Sequence, residues 1–266
     1  MEATLIKLTD DNYFSQEAGR QFMSVSQFKA FGGCEAAALA SLNGEWKEEE
    51  STALLVGSYF HSHFEGTLDK FKKEHPQIFT VKGELKANYR QANEMINCLE
   101  TDENFKQIYI GEKEKIFIFE LFGIPWKIKV DCLNEKEGYF IDLKTTRSFD
   151  RQWIYDPIED RNRQVSFVEA WGYLIQMAVY KKGIEINTGI KDLEGFIIAV
   201  TKQEPPDKTI LYFRPEDYEK GMNIVEENLQ HILDVKNGKV APLKCGKCAY
   251  CRATKKLDRT FHYSEF

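Results

Sequence analysis

Three consecutive stretches of this chain have the texture of a pleated sheet, and they follow one another with almost no room between them. Lys115 to Phe122 and Pro125 to Leu133 are rich in Ile, Phe and Val and are parted by Gly123, which predicts a hairpin; Gly138 to Thr145 predicts a third strand. Helical spacing dominates before them. Ser24 is placed to cap a helix carrying Phe28 and Phe31, and helical character resumes over Ala36–Leu42 after an interruption at Gly32-Gly33. Ala53–Phe71 reads as one helix through Leu54, Leu55, Tyr59, Phe60, Phe64 and Leu68, and Asn88–Glu100 as another. After the strands, Val165–Tyr180 returns to helical spacing through Phe167, Trp171, Leu174, Ile175 and Val179. Gly195–Val200 and Thr209–Phe213 read as strands on either side of Pro205-Pro206, and Glu216–Leu233 as a polar-faced helix. Residues 1–23 read as an irregular arm. The expectation is an α/β fold, a central mixed β-sheet flanked by helices, in one domain over 1–266. It divides into a helical amino-terminal part (1–110), an α/β core (111–235) and a Cys-rich tail (236–266).

Composition limits the class of function. Hydrophobic residues make up 42% and charged residues 29%, as in folded soluble chains. Apolar stretches such as Phe196–Val200 are too short to span a bilayer, so no membrane association is expected. The first ten residues lack a basic flank ahead of an apolar core, which makes the cytoplasm the expected compartment. A formal net charge of −6 argues against a plain nucleic-acid binder, which neutralises phosphates with Lys and Arg. A site that gathers carboxylates around cations is the exception. The short basic clusters (Lys70, Lys72 and Lys73; Arg161 and Arg163; Lys181 and Lys182; Lys255 and Lys256) are ordinary for solvated surfaces and decide nothing.

One pair of strands carries candidate chemistry. Asp131 falls on the second, and Asp142-Leu-Lys144 on the third. Side chains alternate across a strand, so Asp142 and Lys144 share a face while Leu143 points to the other. If the strands pair as a hairpin, the two carboxylates converge into a hard-oxygen site suited to Mg²⁺ or Mn²⁺. Lys144 is then placed to orient or deprotonate a water and to stabilise charge developing on a phosphate. Taken alone, Asp-x-Lys on a strand is also a common surface pair.

The company it keeps resembles the PD-(D/E)XK nucleases, with the order of motifs seen in RecB-like exonucleases and especially the phage and prophage RecE type. Gly57-Ser-Tyr-Phe-His61 resembles their helical Gly-x-x-x-His, and Glu114 their upstream acidic position, with Glu112 as its competitor two residues earlier. Asp131 and Asp142-Leu-Lys144-Thr-Thr146 match the paired acidic motifs, and Gln176-Met-Ala-Val-Tyr180 the following Gln-x-x-x-Tyr helix. Asp11-Asn-Tyr13 and Ser24-Val-Ser26-Gln-Phe28 resemble the RecE-type entry segment, so the likeness spans roughly residues 10–235. It implies a restriction-endonuclease-like core in a chain of phage or bacterial origin. It also implies His61, Asp131 and Asp142 as metal ligands, Glu114 in the metal or water shell, Lys144 at the nucleophilic water, and Gln176 and Tyr180 in contact with the scissile phosphate or the nucleophile. The implied activity is Mg²⁺- or Mn²⁺-dependent degradation of duplex DNA from its ends, leaving single strands for an annealing protein in phage recombination; such enzymes tend to form homo-oligomeric rings. His61 also admits the plainer reading of a boundary histidine partnered by Glu65, and His63 faces elsewhere on the helix. Gln176 and Tyr180 equally suit an ordinary core stripe.

Of six cysteines, Cys245, Cys248 and Cys251 stand as Cys-x2-Cys-x2-Cys, the local spacing that ferredoxins use for an iron–sulfur cluster. Cys34 is the candidate fourth ligand. It follows Ser26-Gln-Phe-Lys-Ala-Phe31-Gly-Gly, which resembles the run before the first cysteine of iron–sulfur RecB-like nucleases, where one early and three late cysteines staple the chain ends. The resemblance implies a [4Fe-4S] cluster, from whose usual pattern this chain departs in a last gap of only two residues; zinc is the alternative, since a Cys-x2-Cys knuckle needs only two thiolates from this loop. Cys98 and Cys132 read as ordinary buried thiols. Two rival functions remain at this stage: a CRISPR-adaptation-like nuclease that trims DNA ends, which four cysteines suit, and an idle nuclease fold that only binds DNA or protein, against which the intact Asp131, Asp142 and Lys144 speak. A redox protein is disfavoured because the tail is a small part of the chain.

Overall fold

The computed structural model describes residues 5–156, 160–257, 260 and 262–265, so the first four residues of the expected arm lie outside it. The chain forms two compact units, one from both ends (Met1–Glu49 with Glu227–Phe266) and one from Glu50–Glu226.

In the first unit, Ser15 and Ser24 start two helices by accepting hydrogen bonds from the amides of Ala18 and Gln27, the usual way a serine satisfies an unpaired helical N–H. These are α1 (Gln16–Gln21), inside what reads as an irregular arm, and α2 (Val25–Gly33), which buries Val25, Phe28 and Phe31. The expected break at Gly32-Gly33 falls instead at Cys34, whose extended backbone separates α2 from α3 (Glu35–Asn43).

The second unit is built on a sheet. Helices α4 (Thr52–Phe64), α5 (Leu68–Glu74), α6 (Gln91–Glu100) and α7 (Glu103–Ile108) precede it. The helix expected over Ala53–Phe71 is therefore two, because the chain turns at Gly66-Thr67 and the Thr67 amide bonds back to the Ser62 carbonyl. Strands β1 (Glu112–Leu121), β2 (Ile124–Asn134) and β3 (Tyr139–Thr146) form the predicted antiparallel run. A small hairpin of β4 (Gln152–Asp156) and β5 (Arg161–Val165) follows, then α8 (Phe167–Ala170), α9 (Tyr173–Thr188), β6 (Glu194–Thr201), β7 (Lys208–Tyr212) and α10 (Pro215–Lys236). Val165 thus closes a strand, and the helix expected from it to Tyr180 is interrupted at Trp171-Gly172.

The sheet order is β1-β2-β3-β6-β7, with β3 and β6 parallel and every other pair antiparallel, so it is mixed as expected. A parallel pair needs a long crossover, and the stretch from β4 to α9 supplies it. Alternation along β3 then divides the core. Ile141 and Leu143 join Cys132, Ile198 and Val200 in packing with Leu55, Phe60, Met95 and Leu99 from α4 and α6. Phe140 and Asp142 face α9, through Tyr180 and Gln176 respectively. The tail of the first unit carries α11 (Ala249–Ala253).

Candidate active site

The strand register lines up three acidic residues. On β1 and β2, Lys113 pairs with Cys132 and Lys115 with Val130, so Glu114 faces Asp131; on β2 and β3 the last pair is Cys132 with Ile141, so Asp131 next faces Asp142. Neither of these rungs belongs to the regular ladder. Glu114 turns its backbone to φ 56, outside the strand region, and the Leu143 amide donates to the Asp131 Oδ2 at 2.7 Å instead of to a carbonyl. Glu114, Asp131 and Asp142 are thereby placed in one row across three neighbouring strands.

Each carboxylate is held by a different element. Asp142, 1% exposed, accepts on Oδ1 from the Gln176 Nε2 of α9 at 2.6 Å. Its Oδ2 lies 2.5 Å from the Lys144 Nζ as a buried ion pair. Glu114 pairs with Lys129 at 2.7 Å. From the opposite side of β3, α4 brings His61 Nδ1 to 3.8 Å from Asp131 Oδ2. Gly57, one turn earlier, eases that approach: a Cβ there would stand a tight 3.3 Å from the Thr145 Oγ1.

Burial sets the electrostatics. It pushes Glu114 up to about 7, with Asp131 adding to the rise and Lys129 opposing it. It raises Asp142 to about 6 and lifts Asp131 as well, in both cases against the pull of Lys144. The same burial, with Lys144, drives His61 down to about 4, which leaves a neutral imidazole able to ligate a metal. Burial also works against the charge of Lys144, but Asp142 and Asp131 overcome it and keep the ammonium.

These groups fit a hard divalent cation: carboxylates made costly by burial, one of them facing the Lys144 ammonium, and a neutral nitrogen beside them. Glu112 does not belong to the row, since it is exposed and bonded to Lys115 at 2.7 Å. His63 is bonded to Glu100 at 2.7 Å. Tyr180 lies with its ring 6.4 Å from Phe140, one turn past Gln176. Two neighbours escaped sequence reasoning. The Tyr173 ring is 5.1 Å from the Lys144 Nζ, and its place one turn before Gln176 on α9 was the available signal; Lys129 had none.

In the first unit, the Sγ atoms of Cys34, Cys245, Cys248 and Cys251 all lie within 4.8 Å of one another, although Cys34 and Cys251 are 217 residues apart. Among the described residues, no carboxylate or histidine group is gathered this tightly. The amides of Lys247 and Cys248 lower the Cys245 thiol to about 6. Cys132 is fully buried, whereas Cys98, expected to be buried too, is only half-buried.

Residues 24–254 match the family described as a PDDEXK-like domain of unknown function (DUF3799), and the chain belongs to that family. A crystal structure from Eubacterium rectale, described as a "putative exonuclease", is 44% identical over 98% of both chains, with a TM-score of 0.90. A second solved structure, SSO0001, is 16% identical over 85% of this chain and 91% of that one, with a TM-score of 0.31. No curated protein matches the chain. None of its helices is long and apolar enough to cross a membrane, among the described residues.

Proposed function

We propose that this PDDEXK-like chain is a metal-dependent deoxyribonuclease that hydrolyses DNA phosphodiester bonds, working from duplex ends as an exonuclease. The row formed by Glu114, Asp131 and Asp142, closed by Lys144, carries the reading: a structural role alone has no use for one buried and two half-buried carboxylates on adjacent rungs. The likeness to a protein described as an exonuclease supports the class of reaction.

Asp131 and Asp142 would hold Mg²⁺ or Mn²⁺, with His61 completing the ligand set from α4. When bound, the ion polarises the phosphoryl oxygen and makes the attacking water more acidic. The remaining work is done by the protein. Gln176 fixes the orientation of Asp142, so that its second oxygen faces the site. Lys144 holds a positive charge where negative charge grows on the phosphate, with the Tyr173 ring 5.1 Å from its Nζ. Glu114, pushed up to about 7, orients the water or takes its proton near neutral pH.

The RecE-type resemblance extends this reading to one strand of duplex DNA degraded from its end, a homo-oligomeric ring, and an annealing protein that receives the exposed strand in phage recombination. The test is digestion of linear against covalently closed duplex DNA, with each 5′ or 3′ end labelled in turn, in Mg²⁺, in Mn²⁺ and in chelator. The reading expects loss of linear DNA only, with one label released first, and none in chelator. Equal digestion of closed circles would replace end dependence with endonuclease action, and metal-independent cleavage would overturn the site.

A further inference from the structure

The four cysteines of the first unit stand too close together for the cluster that their resemblance implies. Cys34 and Cys251 are 3.6 Å apart at sulfur, Cys245 and Cys251 are 3.9 Å apart, and all four sulfurs lie within 4.8 Å of one another. One tetrahedral zinc ion with bonds of about 2.3 Å sets its thiolates about 3.8 Å from each other. A [4Fe-4S] cube gives each thiolate its own iron, which moves every sulfur outward from the centre by that iron's own distance. The observed spacing is that of the single ion. We infer that Cys34, Cys245, Cys248 and Cys251 hold one zinc ion in place of an iron–sulfur cluster.

The surroundings agree with that assignment. The Cys248 amide donates to the Cys245 sulfur and the Cys251 amide to the Cys248 sulfur, both at 3.4 Å, as thiolates on a metal are supported from behind. Lys244, Lys247 and Arg252 are exposed on the same short segment, close to a centre that would carry two negative charges. Soft sulfur ligands here, and hard oxygens on the sheet of the second unit, also sort the metals: zinc to one centre, magnesium or manganese to the other. Cys34 lies between α2 and α3 and the other three in the tail, so the ion ties together segments that the sequence holds far apart, a structural role.

The inference is independent of the nuclease reading and is tested by counting atoms. The whole chain is purified without oxygen from cells supplied with both iron and zinc, and metals and acid-labile sulfide are measured per chain. One zinc, no sulfide and a colourless protein are expected. Chain stripped of its metal should take one cobalt(II) with the visible bands of a tetrahedral tetrathiolate, and iron with sulfide should not displace added zinc. Cys34→Ser should lose the ion and Cys98→Ser keep it. Should Cys34→Ser fail to fold, the count on the unaltered protein still decides. Brown protein with iron and sulfide in stoichiometric amounts overturns the inference, as does metal-free protein whose four thiols all alkylate in the native state.

Discussion

Glu114 stands opposite Asp131 at the one rung that the β1–β2 ladder omits, and it reaches that position with its backbone at φ 56. A non-glycine residue in the left-handed region costs about 1–2 kcal/mol. Such strain persists where the surrounding structure over-determines it, most often at functional sites. Here intact strand pairs flank it on both sides, and what it produces is a carboxylate that feels the charge of Asp131.

That relationship predicts a signature in stability against pH. In the folded chain Glu114 titrates near 7, above its ordinary value of 4.5. The stability it contributes is therefore fully present below about pH 4.5 and is lost as pH rises through 7. Glu114→Gln cannot show this loss. In chelator, the stability of the variant relative to the wild type should climb between pH 4.5 and 7, as read from urea unfolding. A pH-independent difference would mean that Glu114 is not buried beside Asp131.

Lys144→Ala should lower the rate of hydrolysis by roughly 10²-fold or more, the scale for losing a group that acts in the transition state. Metal affinity should stay the same or tighten, because the ammonium 2.5 Å from Asp142 competes with any cation for that oxygen. Titration calorimetry with Mn²⁺ and single-turnover cleavage separate the two effects. Collapse of metal binding with chemistry intact at saturating metal would make Lys144 a mere counter-charge.

Much of this site was legible beforehand because it rests on periodicity. Alternation put Asp142 and Lys144 on one face and Leu143 on the other, and the apolar run around Gly123 announced the hairpin that sets the register. The β4–β5 hairpin was not legible, since Arg161-Asn-Arg-Gln-Val165, which pairs with β4, has no apolar alternation. The breaks at Gly66-Thr67 and Trp171-Gly172 were hidden because apolar residues keep helical spacing on both sides. Spacing alone also could not separate Glu112 from Glu114, because the difference lies in one backbone angle.

That overlooked hairpin makes a further expectation. Trp153 and Tyr155 share a face of β4 and are 67% and 58% exposed, opposite Gln164 and Asn162. Aromatic rings stacked under bases contribute about 1–3 kcal/mol each in single-strand binding. If these rings take up the single strand that end-dependent digestion leaves, Trp153→Ala should raise the KM for DNA roughly tenfold and leave kcat nearly unchanged. An unaltered KM would remove the hairpin from the substrate path.

Gly221→Ala tests the packing behind the site. A Cβ at Gly221 of α10 would fall 2.3 Å from the Leu174 carbonyl oxygen of α9, the helix that carries Gln176. Alanine gains about 1 kcal/mol in helix propensity. Overpacking against backbone costs about 1–3 kcal/mol and should prevail. A lower unfolding midpoint is expected; a higher one would show that α9 and α10 separate freely.

Asp142→Asn is the most direct test of the catalytic assignment. The change keeps the volume and can keep the bond from Gln176 to Oδ1, while removing the charge that a cation needs. Cleavage of end-labelled linear duplex should fall by roughly 10²-fold or more in saturating Mg²⁺, with the far-ultraviolet spectrum and DNA binding preserved. Cleavage near the wild-type rate would contradict the assignment of Asp142, and with it a site built on Glu114, Asp131 and Asp142.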